Sequence, residues 1–331
     1  MTSSPFEPDI PMTAAEDKHH LRFSVVVIHR NGTDRLQDAV DSILAAIDPL
    51  RDEVIVVDNH STDDSLTQLA ARHPQLRIIS NPCNMGYARA CNQGIGASNS
   101  EYILLCNNDL RLPANSIEQF AADLRDHPEA GLIGGQLLGG NGALSRSAGP
   151  ASDLWSELGL ASKRRIDYQG EQPIQVGAIV GACMAARRSA ILQAGPLDED
   201  FFFYYEEVEW CVRLTRHGWS VMIDPRVRVL HAGGASTRPY FYGSRVEFFR
   251  SRLLYWKKTL PLPAVCLLYA WRLPRLLLDV VFYLTATLLT LGLSGKLRHK
   301  LMDRGVVLAW LLAGCPRDWG LPDKCPDRIL L

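Results

Sequence analysis

Between Phe23 and Asp109 the chain four times runs through a stretch of Val, Ile and Leu and then stops on a cluster of polar residues. Phe23 to Ile28 closes on His29-Arg30-Asn31-Gly32, and Glu53 to Val57 on Asp58-Asn59-His60-Ser61. Leu76 to Ser80 closes on Asn81-Pro82-Cys83-Asn84-Met85-Gly86, and Tyr102 to Cys106 on Asn107-Asn108-Asp109. Runs this continuous are too apolar for half-exposed strands and fit strands covered on both faces. Segments of helical period lie between them. Thr33 is placed to cap one that reaches about Ala46, with Leu36, Val40, Ile43, Leu44 and Ile47 on one side, and another carries Arg89, Asn92 and Gln93. Strands alternating with helices of this length predict a mostly parallel, Rossmann-like α/β sheet with helices on both faces, whose ligands bind beyond the carboxyl ends of the strands. All four polar clusters fall at such ends, so they mark one candidate site.

A helix over 114–125 and a strand from Gly131 to Leu137 continue the pattern. The stretch 139–175 has weak periodicity and reads as long loops, suited to a lid or an acceptor surface. Gly177 to Met184 reads as an apolar strand in which small residues such as Gly181 allow close backbone approach. An acidic and aromatic segment, Asp198 to Trp210, opens a helix to His217, and strands Ser220 to Ile223 and Val227 to Leu230 lead to His231. Beyond Pro261 the chain is strongly apolar but broken by Arg272, Pro274, Arg275 and Asp279. Its longest uncharged run, Val280 to Gly295, is shorter than the roughly 20 residues of a spanning helix. Lys296, Arg298 and Lys300 follow, a pattern that favours helices lying on an anionic membrane surface over the alternatives of a true span or a packed soluble subdomain. The organisation is then a disordered leader over 1–20, an α/β domain over 21–258 in two halves (21–137 and 138–258), and a membrane-associated helical region over 259–331.

Lys plus Arg (35) nearly balances Asp plus Glu (36), so no global field draws the chain to nucleic acid, and an anionic ligand must be held locally. The eight cysteines show no CxxC pair and several lie in apolar runs, which predicts reduced, mostly buried thiols and a cytosolic compartment. Oligomeric state stays open, a homo-oligomer included.

The motifs, in their order and spacing over about Ser24 to Leu260, resemble the family-2 glycosyltransferases, inverting enzymes of the GT-A fold, and especially their rhamnosyltransferase-like members. Ser24 to Asn31 resembles the first-strand motif, Val56 to Asp63 the second and Asn84 to Gly94 the third. Asn107-Asn108-Asp109 stands at the metal-binding acidic triplet, Phe201 to Trp210 at the segment of the catalytic base, and His231 to Ser236 at the late histidine motif. The resemblance implies an enzyme on the cytoplasmic face of the plasma membrane. It would move a sugar, rhamnose favoured, from a nucleoside diphosphate donor to a lipid-linked or polysaccharide acceptor of the cell envelope. The chain departs from the pattern at His29-Arg30, where Thr-Tyr is usual and base stacking is served. It departs also at Asn107, which stands in place of an Asp, and at Glu207, which stands in place of an Asp and carries one more methylene.

The chemistry assigns roles beside the resemblance. A diphosphate leaving group needs its charge neutralised, which a divalent cation on oxygen ligands does. Asp109 is its natural protein ligand and His231 completes the set. Mg²⁺ or Mn²⁺ is expected, with Mn²⁺ better suited to a mixed carboxylate and imidazole site. Asp58 suits the ring imide of uracil or thymine, and Arg89 the diphosphate. Asn31, Asn59, Asn84, Gly86, Asn92 and Asn108 shape the donor loops. Glu207 is the candidate base that removes the acceptor proton. Glu206, Glu209, Trp210 and Gly181 are placed toward the acceptor. Two rival readings are a catalytically silent sugar-nucleotide or glycan-binding protein and a sugar-phosphate nucleotidylyltransferase. The second would be expected to show a Gly-rich, basic loop after the first strand, which His29 to Arg35 does not supply.

Overall fold

The computed structural model describes residues 21–160, 170–233 and 238–326. The expected leader over 1–20 lies outside them, as do 161–169 of the expected loop stretch and 234–236 of the late histidine motif. The strands are β1 (Phe23–His29), β2 (Asp52–Asp58), β3 (Arg77–Ser80), β4 (Tyr102–Asn107), β5 (Leu110–Arg111), β6 (Ala130–Leu138), β7 (Ala148–Gly149), β8 (Ile174–Gln175), β9 (Ala178–Ile179), β10 (Cys183–Arg187) and β11 (Ser220–His231). The helices are α1 (Thr33–Leu44), α2 (Ser65–Arg72), α3 (Tyr87–Ala97), α4 (Ser116–Asp126), α5 (Leu154–Leu158), α6 (Arg188–Ala194), α7 (Glu206–Arg216), α8 (Phe241–Thr259), α9 (Leu262–Leu289) and α10 (Gly295–Leu312).

One mixed sheet runs β3-β2-β1-β4-β10-β6-β11-β5, with β8 added to β11. The first four of these are mutually parallel, β6 and β11 are parallel to each other, and β10 is antiparallel to both of its neighbours. Every residue of β1 is buried because each face has a helical cover. Val25 and Val27 pack with Leu36, Val40 and Ile43 of α1, and Val26 and Ile28 with Ala88 and Cys91 of α3. Alternate residues feed opposite cores, and each such aliphatic side chain contributes about 1.5–3 kcal/mol by leaving water. Helix α3 comes in so close that a Cβ on Gly94 would lie 2.1 Å from Val26 Cγ1.

The structure departs from the sequence reading at four places. The apolar stretch Gly177 to Met184 is two strands: β9 pairs with β7 in a separate ribbon and β10 enters the main sheet, leaving Gly181 in the turn between. The two late strands are one, with a register shift between Asp224 and Arg228 that accommodates Pro225. Thr33 does not cap α1; Gly32 precedes the helix at φ +102°, and the Thr33 hydroxyl donates to Asp64 Oδ1 at 3.1 Å. Cys83 and Cys325 are joined in a disulfide across 242 positions of sequence, correcting the expectation that all thiols are reduced. A lone parallel bridge between Asn84 and Lys324 brings the two segments together. Of the free thiols, Cys91, Cys106, Cys183 and Cys211 are buried, whereas Cys266 and Cys315 are exposed.

Helices α8 to α10 pack as a layer around Val246, Leu253, Trp256, Val265, Leu268 and Trp310. Ion pairs tie this layer: Asp279, one of the charges that break the apolar run, pairs with Arg304, and Asp303 of α10 pairs with Arg245. Among the described residues no helix is long and apolar enough to cross a membrane. The outer side of α9 nonetheless leaves Leu278 67%, Phe282 63% and Leu289 81% exposed.

Candidate active site

The ends of β1, β2, β4 and β11 meet at a cavity of about 200 Å³. Strand β5 pairs antiparallel with β11 so that His231 lies opposite Leu110, and this register brings the strand-end Asp109 to the late histidine. Asp109 Oδ1 and His231 Nε2 are 3.2 Å apart, and the Asn107 amide nitrogen lies 3.4 Å from the same ring nitrogen. The backbone N–H of Ala232 donates to the Asp109 carbonyl at 3.1 Å, fixing the junction.

Most of the polar residues expected to touch the donor are tied to one another. The Asn59 amide donates to Asn84 Oδ1 and to the Gly86 carbonyl, and its oxygen accepts the Met85 N–H. Asn108 lies 2.8 Å from His29 Nδ1 and donates to the Asn31 carbonyl. His29 Nε2 in turn meets Ser65 Oγ at 2.7 Å, so the ring bridges β4 and α2. Burial pushes the His29 imidazole down to about 4, and it is neutral at ordinary pH. The Asn31 side-chain oxygen accepts the Thr62 N–H. Asp58 is buried and accepts from the Ser61 N–H and hydroxyl; burial raises its carboxyl against these bonds. This carboxylate makes a turn at the end of β2 and is not part of the cavity wall.

The aromatic segment before α7 supplies the other wall, with Phe202, Phe203 and Tyr204 lining the cavity. It is clamped over α3, where the Tyr87 N–H donates to the Phe202 carbonyl at 2.7 Å. Only glycine serves at 86: φ is +86°, and a Cβ would lie 2.5 Å from that carbonyl. Tyr204 and Tyr205 both have positive φ, 72° and 68°, a strained conformation for aromatic residues. Tyr204 lines the cavity and α7 begins two residues on, with Glu206 and Glu207 behind the lining. Glu206 and Glu207 each have an enclosed Oε2 without a hydrogen-bond partner. Burial raises both carboxyls, Glu206 strongly and with a further push from Glu207. The Glu207 side chain lies against Gly181, where an added Cβ would stand 3.4 Å from Glu207 Cβ. The Gly181 carbonyl accepts the hydroxyl of Tyr87, a cavity residue.

Besides Asp58, the expected site residues Arg89, Asn92, Glu209 and Trp210 are placed away from the cavity. Arg89 pairs with Glu199 at 3.4 Å, and Asn92 holds the same loop through Leu197 and Glu199, because that face of α3 turns to the chain ahead of α7. Glu209 makes an i,i+4 pair with Arg213 at 2.9 Å. Trp210 is fully buried, its indole N–H donating to the Gly195 carbonyl, so it packs the core and offers no face to a sugar. The sequence reading overlooked His29, Arg30, Tyr87, Phe202 to Tyr204 and Leu321 as lining residues. The aromatic run was a visible signal for Phe202 to Tyr204, whereas nothing local to Leu321 marks it.

Among the described residues no three His, Cys, Asp or Glu side chains gather as a complete metal cage. The Asp109 and His231 pair fits a divalent ion that takes its remaining ligands from phosphate oxygens and water, as such ions commonly do. The donors are an oxygen and an imidazole nitrogen already facing each other.

A profile described as glycosyl transferase family 2 matches residues 24–194. The N-acetylglucosaminyl-diphospho-decaprenol L-rhamnosyltransferase of Mycobacterium tuberculosis is 27% identical over 207 residues, 56% of this chain and 67% of that one. The dTDP-rhamnosyl transferase RfbF of Shigella flexneri is 26% identical over 184 residues, 55% of this chain and 60% of that one. Among solved structures, the mannosyltransferase PcManGT from Pyrobaculum calidifontis, in complex with GDP-Man and Mn²⁺, superposes with a TM-score of 0.54 at 18% identity, over 89% of this chain and 87% of that one. This last likeness concerns the fold.

Proposed function

Because the chain belongs to glycosyl transferase family 2 and is a glycosyltransferase of the GT-A fold, we propose that it transfers rhamnose, with inversion, from a nucleoside diphosphate donor to a lipid-linked glycan. The observation that carries the donor reading is the Asp109 and His231 pair in the wall of a cavity ringed by strand ends. Asp109 and His231 would hold Mn²⁺ or Mg²⁺, which supplies Lewis-acid neutralisation of the leaving diphosphate. The Asn59, Asn84 and Asn108 network keeps the loops of that cavity fixed. Glu207 takes the acceptor proton: burial raises its carboxyl, which makes it a stronger base than a free glutamate. Rhamnose and a lipid-linked acceptor follow from what the mycobacterial and Shigella relatives are named for.

The test is sugar transfer from a panel of dTDP-, UDP- and GDP-sugars with Mn²⁺ present. Turnover with a dTDP-sugar is expected; absence of turnover, hydrolysis and donor binding across the panel overturns the reading. The exposed apolar side of α9, together with Lys296, Arg298 and Lys300, supports docking on the cytoplasmic face of an anionic membrane near such an acceptor. Co-sedimentation with anionic vesicles that is lost in Leu278→Glu/Phe282→Glu is expected, and equal sedimentation of that variant sinks the docking reading.

A further inference from the structure

Residues 319–326 lie as a strap against the donor cavity. Asn84 holds it in register: its N–H donates to the Asp323 carbonyl at 2.9 Å, its amide to the Pro322 carbonyl at 3.2 Å, and its carbonyl accepts the Cys325 N–H at 3.2 Å. The Cys83–Cys325 disulfide makes this attachment covalent. Lys324 bonds Glu247 at 2.5 Å and stands 4.7 Å over the ring of Phe202. Leu321 contributes to the cavity wall.

The strap also places a carboxylate. Asp323, at a positive φ of 59°, forms an ion pair with Arg30. Arg30 is the one Lys or Arg among the described residues that line the cavity, and its Nε is enclosed without a partner. Arg89, the cation expected from the sequence, is engaged with Glu199 outside the cavity. The cavity itself, about 200 Å³, is below the roughly 300–1,000 Å³ of ordinary ligand pockets. With the strap in place, a cation suited to phosphate is covered by an anion, and Leu321 of the strap forms part of the cavity wall.

We propose that Arg30 binds the donor phosphates, and that Asp323 occupies its guanidinium until the strap, latched by the Cys83–Cys325 disulfide, is released. This rests on the donor-site reading above. A guanidinium presents a planar fork that exchanges a carboxylate for a phosphate without change of geometry. Release is a thiol exchange with a cellular dithiol. One thiolate of the dithiol attacks a sulfur of the bridge, and its second thiolate resolves the mixed disulfide. The Cys83–Cys325 bond takes two electrons and two protons to become two thiols while the dithiol becomes a disulfide. The strap is then held by hydrogen bonds and ion pairs alone, and an anionic donor competes for Arg30 directly.

The experiment titrates dTDP, UDP and GDP with Mn²⁺ into the full chain by calorimetry, oxidised and after treatment with dithiothreitol. Wild type is compared with Cys83→Ser/Cys325→Ser, Asp323→Asn, Arg30→Ala, Arg30→Lys and Asp109→Ala, each checked by thermal melting. Reduction, the double serine variant and Asp323→Asn should each tighten the best nucleotide about tenfold, the size of one charge-assisted hydrogen bond. In the reduced protein Arg30→Ala should weaken it by a similar factor and Arg30→Lys by less. Affinity indifferent to reduction and to Asp323→Asn overturns the latch, and wild-type affinity in Arg30→Ala overturns the phosphate assignment. If binding needs Asp109 but ignores every Arg30 and strap change, the donor site stands and this proposal falls. If no nucleotide binds the oxidised protein, the reduced protein or Asp323→Asn, the donor-site reading falls and takes the proposal with it.

Discussion

The strand ends around Asn59 line the cavity and the first turn of α7 lies behind its aromatic wall, and the two spend their polar groups in opposite ways. At the strand ends the side chains of Asn31, Asn59, Asn84 and Asn108 are bonded to one another's loops, and His29 is kept neutral between Asn108 and Ser65. At α7 two adjacent carboxyls are enclosed with an oxygen each unpartnered, behind two tyrosines in a strained backbone. The first region has the economy of a scaffold, and the second stores unfavourable energy of the kind that gathers where chemistry is done. The difference teaches that polar residues which line a cavity, as Asn59, Asn84 and Asn108 do, can at the same time be the ties that hold its loops.

The sharpest break of this contrast is at the carboxylates. Glu207→Gln should lower kcat by about 10²–10⁴-fold, the range of general-base catalysis, while nucleotide affinity changes little. A variant retaining most of its kcat removes Glu207 from the reaction. On the scaffold side, Asn59→Ala should cost about 1–3 kcal/mol of stability in urea, since it strands the Met85 N–H and removes one of the bonds at the Asn84 side-chain oxygen and at the Gly86 carbonyl. A change below about 0.5 kcal/mol would mean that water replaces the network without loss.

The two regions should also titrate with opposite sign. The folded-state value of His29 is lowered, so the unfolded chain binds more protons and stability falls as pH drops from about 6.5 to about 4, by up to ~3 kcal/mol. Glu206 is raised, so the folded chain binds more protons and stability is lost as pH rises through its folded value. Denaturation curves of His29→Gln and Glu206→Gln across pH should each flatten one limb only; parallel curves would dissolve the distinction. The smallest effect is expected at Arg89→Ala, within about 0.5 kcal/mol in stability, as for a partly exposed ion pair. Nucleotide affinity should hold within twofold, roughly the limit of such a remote pair, and a tenfold loss would restore Arg89 to the phosphates.

How much of this was legible follows from the physics of each signal. Continuous apolar runs announced β1, β2 and β4 because strands covered on both faces have no polar side to blur them. The place of Asp109 and His231 was legible from motif order, although only the β5 and β11 register brings them within 3.2 Å. Orientation was not legible: Arg89 and Trp210 lie in the right segments, but which face of α3 or α7 they occupy depends on packing partners far away in sequence. Glu209 is instructive, since Arg213 four residues on was visible and the helical pairing rule already offered the structural role. The Cys83 and Cys325 contact depends on a bridge across 242 positions, which no local pattern encodes.

Gly94 gives the scaffold a mechanical tolerance. It sits seven residues along α3 from Tyr87, roughly 10 Å at 1.5 Å per residue, at the point where the helix touches Val26. That contact is a fulcrum. A single methyl group placed there would wedge the helix off β1 and swing its first turn, so the hydroxyl of Tyr87 would leave the Gly181 carbonyl before any cavity residue had been changed.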